Sequence, residues 1–191
     1  RDRLYTGTFE AYQGLDLLFA AMAIVRRQRG DARLVLAGGK PDQVARARAD
    51  ARRAGIDDVT VFAGERPASE IPAYLMACDA LVSPRSKGTN TPLKIYQYLR
   101  SGRPIVATRL LTHTQVLDEE VSILVDATPE SFADGILRAL RDPAQAAELG
   151  QRAAALAETK YSYEAYLDKT RRACGSLDPR TSPLAPAKGV A

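Results

Sequence analysis

The chain has 191 residues, a formal net charge of +4, two cysteines and no tryptophan, and 46% of it is hydrophobic. That apolar content and modest charge exclude a chain disordered throughout, and no apolar run approaches the about 18 residues a membrane span needs. Cys78 and Cys174 are too few for a disulfide framework or a metal cluster, which points to a reducing, cytoplasmic setting.

The opening run Arg1-Asp2-Arg3-Leu4-Tyr5 has no initiator Met and no apolar stretch behind its charges. It therefore reads as a fragment or a processed piece without a signal peptide. Residues 4–6 form the first predicted strand. Leu18, Ala21, Met22 and Val25 follow at helical spacing. A second strand is predicted at 34–37, and a weaker helical stripe at Val44, Ala47, Ala51 and Ala54. A third strand at 59–62 precedes a helix carrying Ile71, Leu75 and Cys78. Strands at 80–82, 105–107 and 123–125 complete the alternation, and several are apolar almost throughout, as parallel strands covered on both faces are. Residues 128–141, 143–158 and 162–174 read as three consecutive helices, the first lined by Phe132, Ile136 and Leu140. Residues 175–191 hold Pro179, Pro183 and Pro186 with little apolar content and are predicted to be a disordered tail.

Strand and helix alternating about six times predict an α/β fold: a Rossmann-like, doubly wound parallel sheet of about six strands with helices on both faces. Ligands of such sheets bind beyond the carboxyl ends of the strands. The arginines at 26, 27, 29, 46, 48, 52 and 53 are interrupted by Asp31, Asp42 and Asp50, as on a solvated helix face. No aromatic ladder accompanies them, so nucleic acid is not an expected partner.

Three loops qualify as sites. Gly7 to Gly14 lies between the first strand and its helix. Gly7 allows close backbone approach, and the helix after Gly14 presents free amides to an anion. This is neither a dinucleotide-binding glycine pattern nor a phosphate loop with its lysine. Residues 83–99 run from the fourth strand into a helix. Thr91 is predicted as its N-cap with Pro92 at the first helical position, which leaves the amides of Leu93 and Lys94 free. Lys87 and Lys94 flank that end with positive charge, so a diphosphate is the ligand it suits. Lys94 and Gln97, three apart, share a face on which Gln97 would meet a sugar hydroxyl. The competing reading is a well-capped helix with exposed lysines. The third loop holds Thr108, Arg109 and His113, the only histidine. Without a paired acid or a second ligand, His113 supports neither a triad nor a metal site. No catalytic residue and no metal ligand is therefore assigned. Cys78 falls on an apolar helix face, and Asp118, Glu119 and Glu120 read as a turn.

The ordered set Tyr5-Thr6-Gly7 … Gly14–Leu18, Leu34–Gly39, Val61–Gly64, Ile71–Leu75, Cys78–Pro84, Pro92–Leu99 and Ser101–Thr108 resembles the C-terminal, donor-binding domain of GT-B glycosyltransferases of the retaining family-4, or group 1, kind. The resemblance covers about residues 4–170 and sets the domain at 1–174. It implies binding of a nucleoside-diphosphate sugar as donor substrate, no further cofactor, and transfer of the sugar to an acceptor hydroxyl. It maps the phosphate site to Gly7, Thr8 and the stretch Asn90, Thr91, Leu93 and Lys94, the base pocket to Gly38, Gly64 and Glu65, and the ribose contact to Gln97.

The sequence departs from the family at four positions. Thr8 and Gln13 stand where members carry an Arg and a Lys on the diphosphate. Thr89 and Gln97 stand where members carry paired glutamates eight residues apart. Losing two charge-assisted bonds costs ~1.5–3 kcal/mol each unless other cations replace them; Arg85, Lys87 and Lys94 are the candidates. The family's N-terminal acceptor domain is expected to be absent here, so the chain alone is expected to be inactive. Lipid-linked acceptors would bring it to a membrane surface. The alternatives are a GT-B-like interaction module that has lost nucleotide binding, or another parallel-sheet protein sharing only the architecture.

Overall fold

The computed structural model describes residues 2–175. Six parallel strands form one sheet in the order β3-β2-β1-β4-β5-β6, as the alternation predicts. They are β1 (Asp2–Thr6), β2 (Arg33–Ala37), β3 (Thr60–Gly64), β4 (Ala80–Ser83), β5 (Ile105–Thr108) and β6 (Ile123–Val125). The helices are α1 (Leu15–Gln28), α2 (Pro41–Arg53), α3 (Ile71–Ala77), α4 (Lys94–Ser101), α5 (Leu111–Thr114), α6 (Pro129–Arg141), α7 (Pro143–Lys160) and α8 (Tyr163–Gly175).

The strand order builds outward from β1 in both directions. The chain lays β2 and β3 on one side and β4, β5 and β6 on the other. That reversal opens a crevice beyond the carboxyl ends of β1 and β4, the place where doubly wound sheets take their ligands. β1 pairs with β2 through Thr6↔Ala37, and with β4 through Leu4↔Leu81.

Side chains alternate across the sheet into two cores. Tyr5, Leu34, Leu36, Val82, Val106 and Val125 face α1, α2 and α6, where they meet Leu18, Ala21, Met22, Val25, Phe132 and Ile136. Leu81, Ile105, Ala107 and Leu124 face the other way, onto α3, α4 and α7, with Leu75, Cys78, Ile95, Tyr98 and Ala153. Both stripes expected for α1 and α6 are buried. Each such large apolar side chain contributes roughly 1.5–3 kcal/mol.

Element ends differ from the sequence reading where hydrogen bonding rather than apolarity decides them. β3 starts one residue late and runs to Gly64, because residues 57–59 are wound into a 3-10 turn. α3 stops at Ala77, and Cys78 sits buried just past its end. Residues 111–114 form a short helix that carries no apolar period. The last helix takes in Gly175, the first residue of the expected tail, and the remainder, 176–191, lies outside the described residues. The arginine-rich faces are paired: Arg26 with Asp58, Arg29 with Asp31, Arg52 with Asp57, Arg46 with Asp42 and Arg53 with Asp50. Among the described residues no helix is long and apolar enough to cross a membrane.

Candidate functional site

The crevice is built first from backbone. The Gly7 N–H bonds to Ala37 O at 3.0 Å, and the Gly38 N–H to Gly64 O at 2.7 Å. Gly38 has φ +124°, and a Cβ there would lie 2.0 Å from Gly7 O, so only glycine lets these loops touch. On the other side Gly14, at φ +75°, packs so close that a Cβ would stand 2.0 Å from Pro84 O. The Ser86 N–H closes that seam on Tyr12 O at 3.1 Å. The glycines place the loops after β1, β2, β3 and β4 edge to edge.

Arg85, only 6% exposed, then organises the loop into α4. Its Nε donates to Lys87 O, Nη1 to Asn90 O and Thr112 Oγ1, and Nη2 to Asn90 Oδ1, all at 3.0–3.1 Å. The guanidinium also lies 5.0 Å from the Tyr12 ring centroid. Three bonds within the loop and one to Thr112 of α5 make Arg85 the loop's organiser, and among the described residues no carboxylate pairs with its charge.

Lys94 is the second buried cation. Its Nζ sits 3.9 Å from the Tyr5 ring centroid and has no hydrogen-bond partner. A Cβ at Gly7 would be 3.9 Å from that nitrogen, so the amine lies at the glycine that ends β1. Burial, and then the charge of Arg85, pushes its pKa down to about 7. Tyr5 keeps its proton, its pKa raised by burial, and donates it to Thr8 O at 2.7 Å.

His113 is fully buried. It bonds Thr108 O at 2.8 Å through Nδ1, which must therefore carry the proton, because a carbonyl only accepts. Nε2 is then the acceptor for the Ser83 hydroxyl at 2.9 Å. Burial first, and the charges of Lys94 and Arg85 second, depress the imidazole pKa to about 4. Ser83 is as buried as the histidine, so this pair holds the ends of β4 and β5 and does not act on a substrate.

The structure brings together Gly7, Gly38 and Gly64, and beside Gly7 it gathers Lys94 with Arg85 and Asn90. Thr8 is exposed, and Gln13 reaches its Oγ1 at 3.5 Å. Lys87 is exposed and gives the loop its carbonyl, while Thr89 O accepts from Gln115 Nε2 at 2.5 Å. Glu65 is exposed on the loop after β3.

Two expectations are corrected. Thr91 does not cap α4: the helix opens by a tight turn in which Ile95 N–H bonds Pro92 O and Tyr96 N–H bonds Leu93 O, with Leu93 at the cap position and no side-chain cap. The amides of Leu93 and Lys94 still precede the first bonded turn. Gln97 does not share an environment with Lys94. It is exposed in a groove of about 350 Å³ with Ile71, Leu75 and Arg100, while Lys94 turns inward to Tyr5. Tyr5, Tyr12 and Thr112 belong to the site and escaped the sequence reading, since no local spacing marks a side chain brought in from another loop. Among the described residues, no group of three His, Cys, Asp or Glu could hold a metal.

Residues 1–142 match the family model of the group 1 glycosyl transferases. The chain belongs to the group 1 glycosyltransferases. YtcC of Bacillus subtilis (strain 168), whose name assigns it provisionally as a glycosyltransferase, is 30% identical over 149 residues, 73% of this chain and 36% of YtcC. Anabaena Alr3699/HepE, crystallised with UDP, superposes on 92% of this chain and 49% of its own with a TM-score of 0.83 and 19% identity. Sucrose-phosphate synthase of Thermosynechococcus elongatus gives 0.81 at 25% identity, over 92% of this chain and 45% of its own. The C-terminal domain of the group 1 protein LpcC of Francisella tularensis gives 0.73 at 21% identity, over 85% and 86%. This group 1 chain thus spans about a third to a half of YtcC, HepE and the synthase, and has the GT-B Rossmann-like fold.

Proposed function

We propose that this chain is the donor-binding half of a retaining sugar transferase, holding the diphosphate of a nucleoside-diphosphate sugar at the crevice beyond β1, β4 and the start of α4. One observation carries the reading: two buried cations, Arg85 and Lys94, share this crevice without a carboxylate partner among the described residues, and the Lys94 amine has no hydrogen bond. A buried, unpaired ammonium is costly unless a ligand completes it. The free amides at the start of α4 and its dipole favour an anion at the same place. Catalytic help in the intact enzyme is then electrostatic: these groups stabilise the charge that develops on the leaving diphosphate. Gly7, Thr8, Asn90 and Leu93 supply backbone and hydroxyl contacts, Gly38, Gly64 and Glu65 border the base, and Gln97 reaches the ribose from its groove. HepE, bound to UDP, supports the donor class. An acceptor domain supplies the other wall of the cleft, and the chain alone transfers little or no sugar.

Calorimetric titration with UDP, GDP and ADP at low salt tests this. Saturable binding of one of them is expected, weakened about 10- to 100-fold in Lys94→Ala, the loss of one charge-assisted contact. A folded chain that binds none sinks the reading. The interaction module is then favoured by the Thr8–Gln13 contact, which occupies with neutral groups the place of two cations.

A further inference from the structure

We propose that the diphosphate site is proton-coupled: the buried Lys94 amine takes up a proton from solvent as the anion docks, with Arg85, fixed beside it, as the positioning residue that opposes its charging in the empty site. This rests on the donor-binding reading above and adds a regulation to it.

The geometry supplies the argument. Among the described residues, the titratable groups around Lys94 are the Tyr5 ring from β1, Arg85 from the loop before α4, His113 from α5 and, one turn along α4 itself, the buried Tyr98, whose hydroxyl bonds Thr6. Tyr5 and Tyr98 have raised pKa values and His113 a lowered one, so all three are neutral near pH 7. Only Arg85 is charged, with the same sign as a protonated Lys94. Four bonds hold its guanidinium in place, so it cannot swing away when Lys94 charges. No solvent reaches the amine to offset the repulsion. The amine in the empty site is accordingly titrated near pH 7 rather than near 10.5.

A diphosphate reverses the balance. An opposite charge within ~4–6 Å favours the charged form and raises the pKa of the amine. Bound and empty states then differ in protonation above pH 7. Affinity is level below pH 7 and falls as pH rises, by up to about tenfold per unit until the bound-state pKa is reached. The proton crosses from solvent to Nζ as the anion enters, and no covalent bond changes.

Calorimetry of the whole chain between pH 6.0 and 8.5 tests it, with UDP-glucose, GDP-mannose and ADP-glucose as probes. Each has a diphosphate esterified at both ends, so the probe itself takes up no proton in this range. Repeating the titration in buffers of different ionisation enthalpy counts the protons. The expected result is uptake near zero at pH 6.0, rising towards one at pH 8, and abolished in Lys94→Arg, which stays charged. Arg85→Gln should move the break in affinity to higher pH, an effect that a role confined to loop shape would not produce. Carbon-13 NMR of lysine Cε in the empty chain gives a reading independent of ligand and of the Arg85 variant: the resonance lost in Lys94→Arg should titrate near pH 7. Binding with level affinity and no uptake, or a Lys94 resonance titrating near 10.5, overturns the coupling and leaves the donor reading standing. No binding of any probe at pH 6.0 by the folded chain overturns both.

Discussion

Lys94 gains for a ligand what it costs the fold. An amine whose pKa is about 7 in the folded chain and 10.5 when unfolded binds fewer protons folded than unfolded between those values. Stability therefore rises with pH across that window, and the full penalty, on the order of 5 kcal/mol, applies below pH 7. Lys94→Met should raise the urea midpoint at pH 6.5 while weakening nucleotide binding about 10- to 100-fold, as Lys94→Ala does. A variant less stable than the parent would show that Lys94 has a buried partner. Gln97→Ala, by contrast, alters an exposed side chain with one hydrogen bond to offer. It should weaken donor binding less than about tenfold, read in the same titration. The sequence shows both residues, and its spacing puts them on one helix face. It does not show that Lys94 turns in to Tyr5 while Gln97 turns out to α3, because each direction is set by the element packed alongside. His113 is plain in the sequence as the only histidine, but its partners Ser83 and Thr108 stand at the ends of two strands that only the sheet makes neighbours.

At the scale of elements, short apolar runs and the 3.6 period were enough to find all six strands and the main helices, because burial on both sheet faces makes the strands apolar almost throughout and one buried face gives each helix its stripe. What they missed are pieces held by hydrogen bonds: the 3-10 turn before β3, α5, and the opening of α4. In α4, Thr91 followed by Pro92 has the composition of a cap. Yet Asn90 O is already claimed by Arg85 and Thr112, and the chain enters the helix two residues later, at Leu93. Gly7 and Gly14 were legible as the ends of a site loop, whereas the contacts that Gly14 and Gly38 make between loops were not. Gly38→Ala tests that function. It puts a methyl into Gly7 O at a φ that L residues avoid, so β1 and its loop must shift. The expected cost is about 1–3 kcal/mol of stability by denaturant titration, with loss of nucleotide affinity beyond it. A neutral substitution would mean that the loops after β1 and β2 are not locked together.

For the molecule as a whole, two buried bases tilt stability in one direction. His113 has a folded pKa of about 4 against 6.5 unfolded, so its contribution is complete above pH 6.5 and is lost as pH falls towards 4, roughly 3 kcal/mol in all. Lys94 continues the same slope from pH 7 upward. The empty chain should therefore grow more stable from pH 5 to pH 9, and thermal melts across that range should rise steadily, where proteins ordinarily peak between about pH 5 and 8. Donor raises the whole curve but changes the slope only of the upper limb. Binding stabilises the folded state by mass action, and an amine recharged by the diphosphate no longer releases its proton on folding. Saturating nucleotide-sugar should lift the melting temperature most at pH 6 and least at pH 9, so that the slope above pH 7 flattens. Lys94→Met should flatten it without any ligand and leave the His113 limb intact. If the parent's melting temperature instead falls from pH 7 to pH 9, the buried lysine is already charged and paired, and the crevice is not an anion site held open in the empty protein.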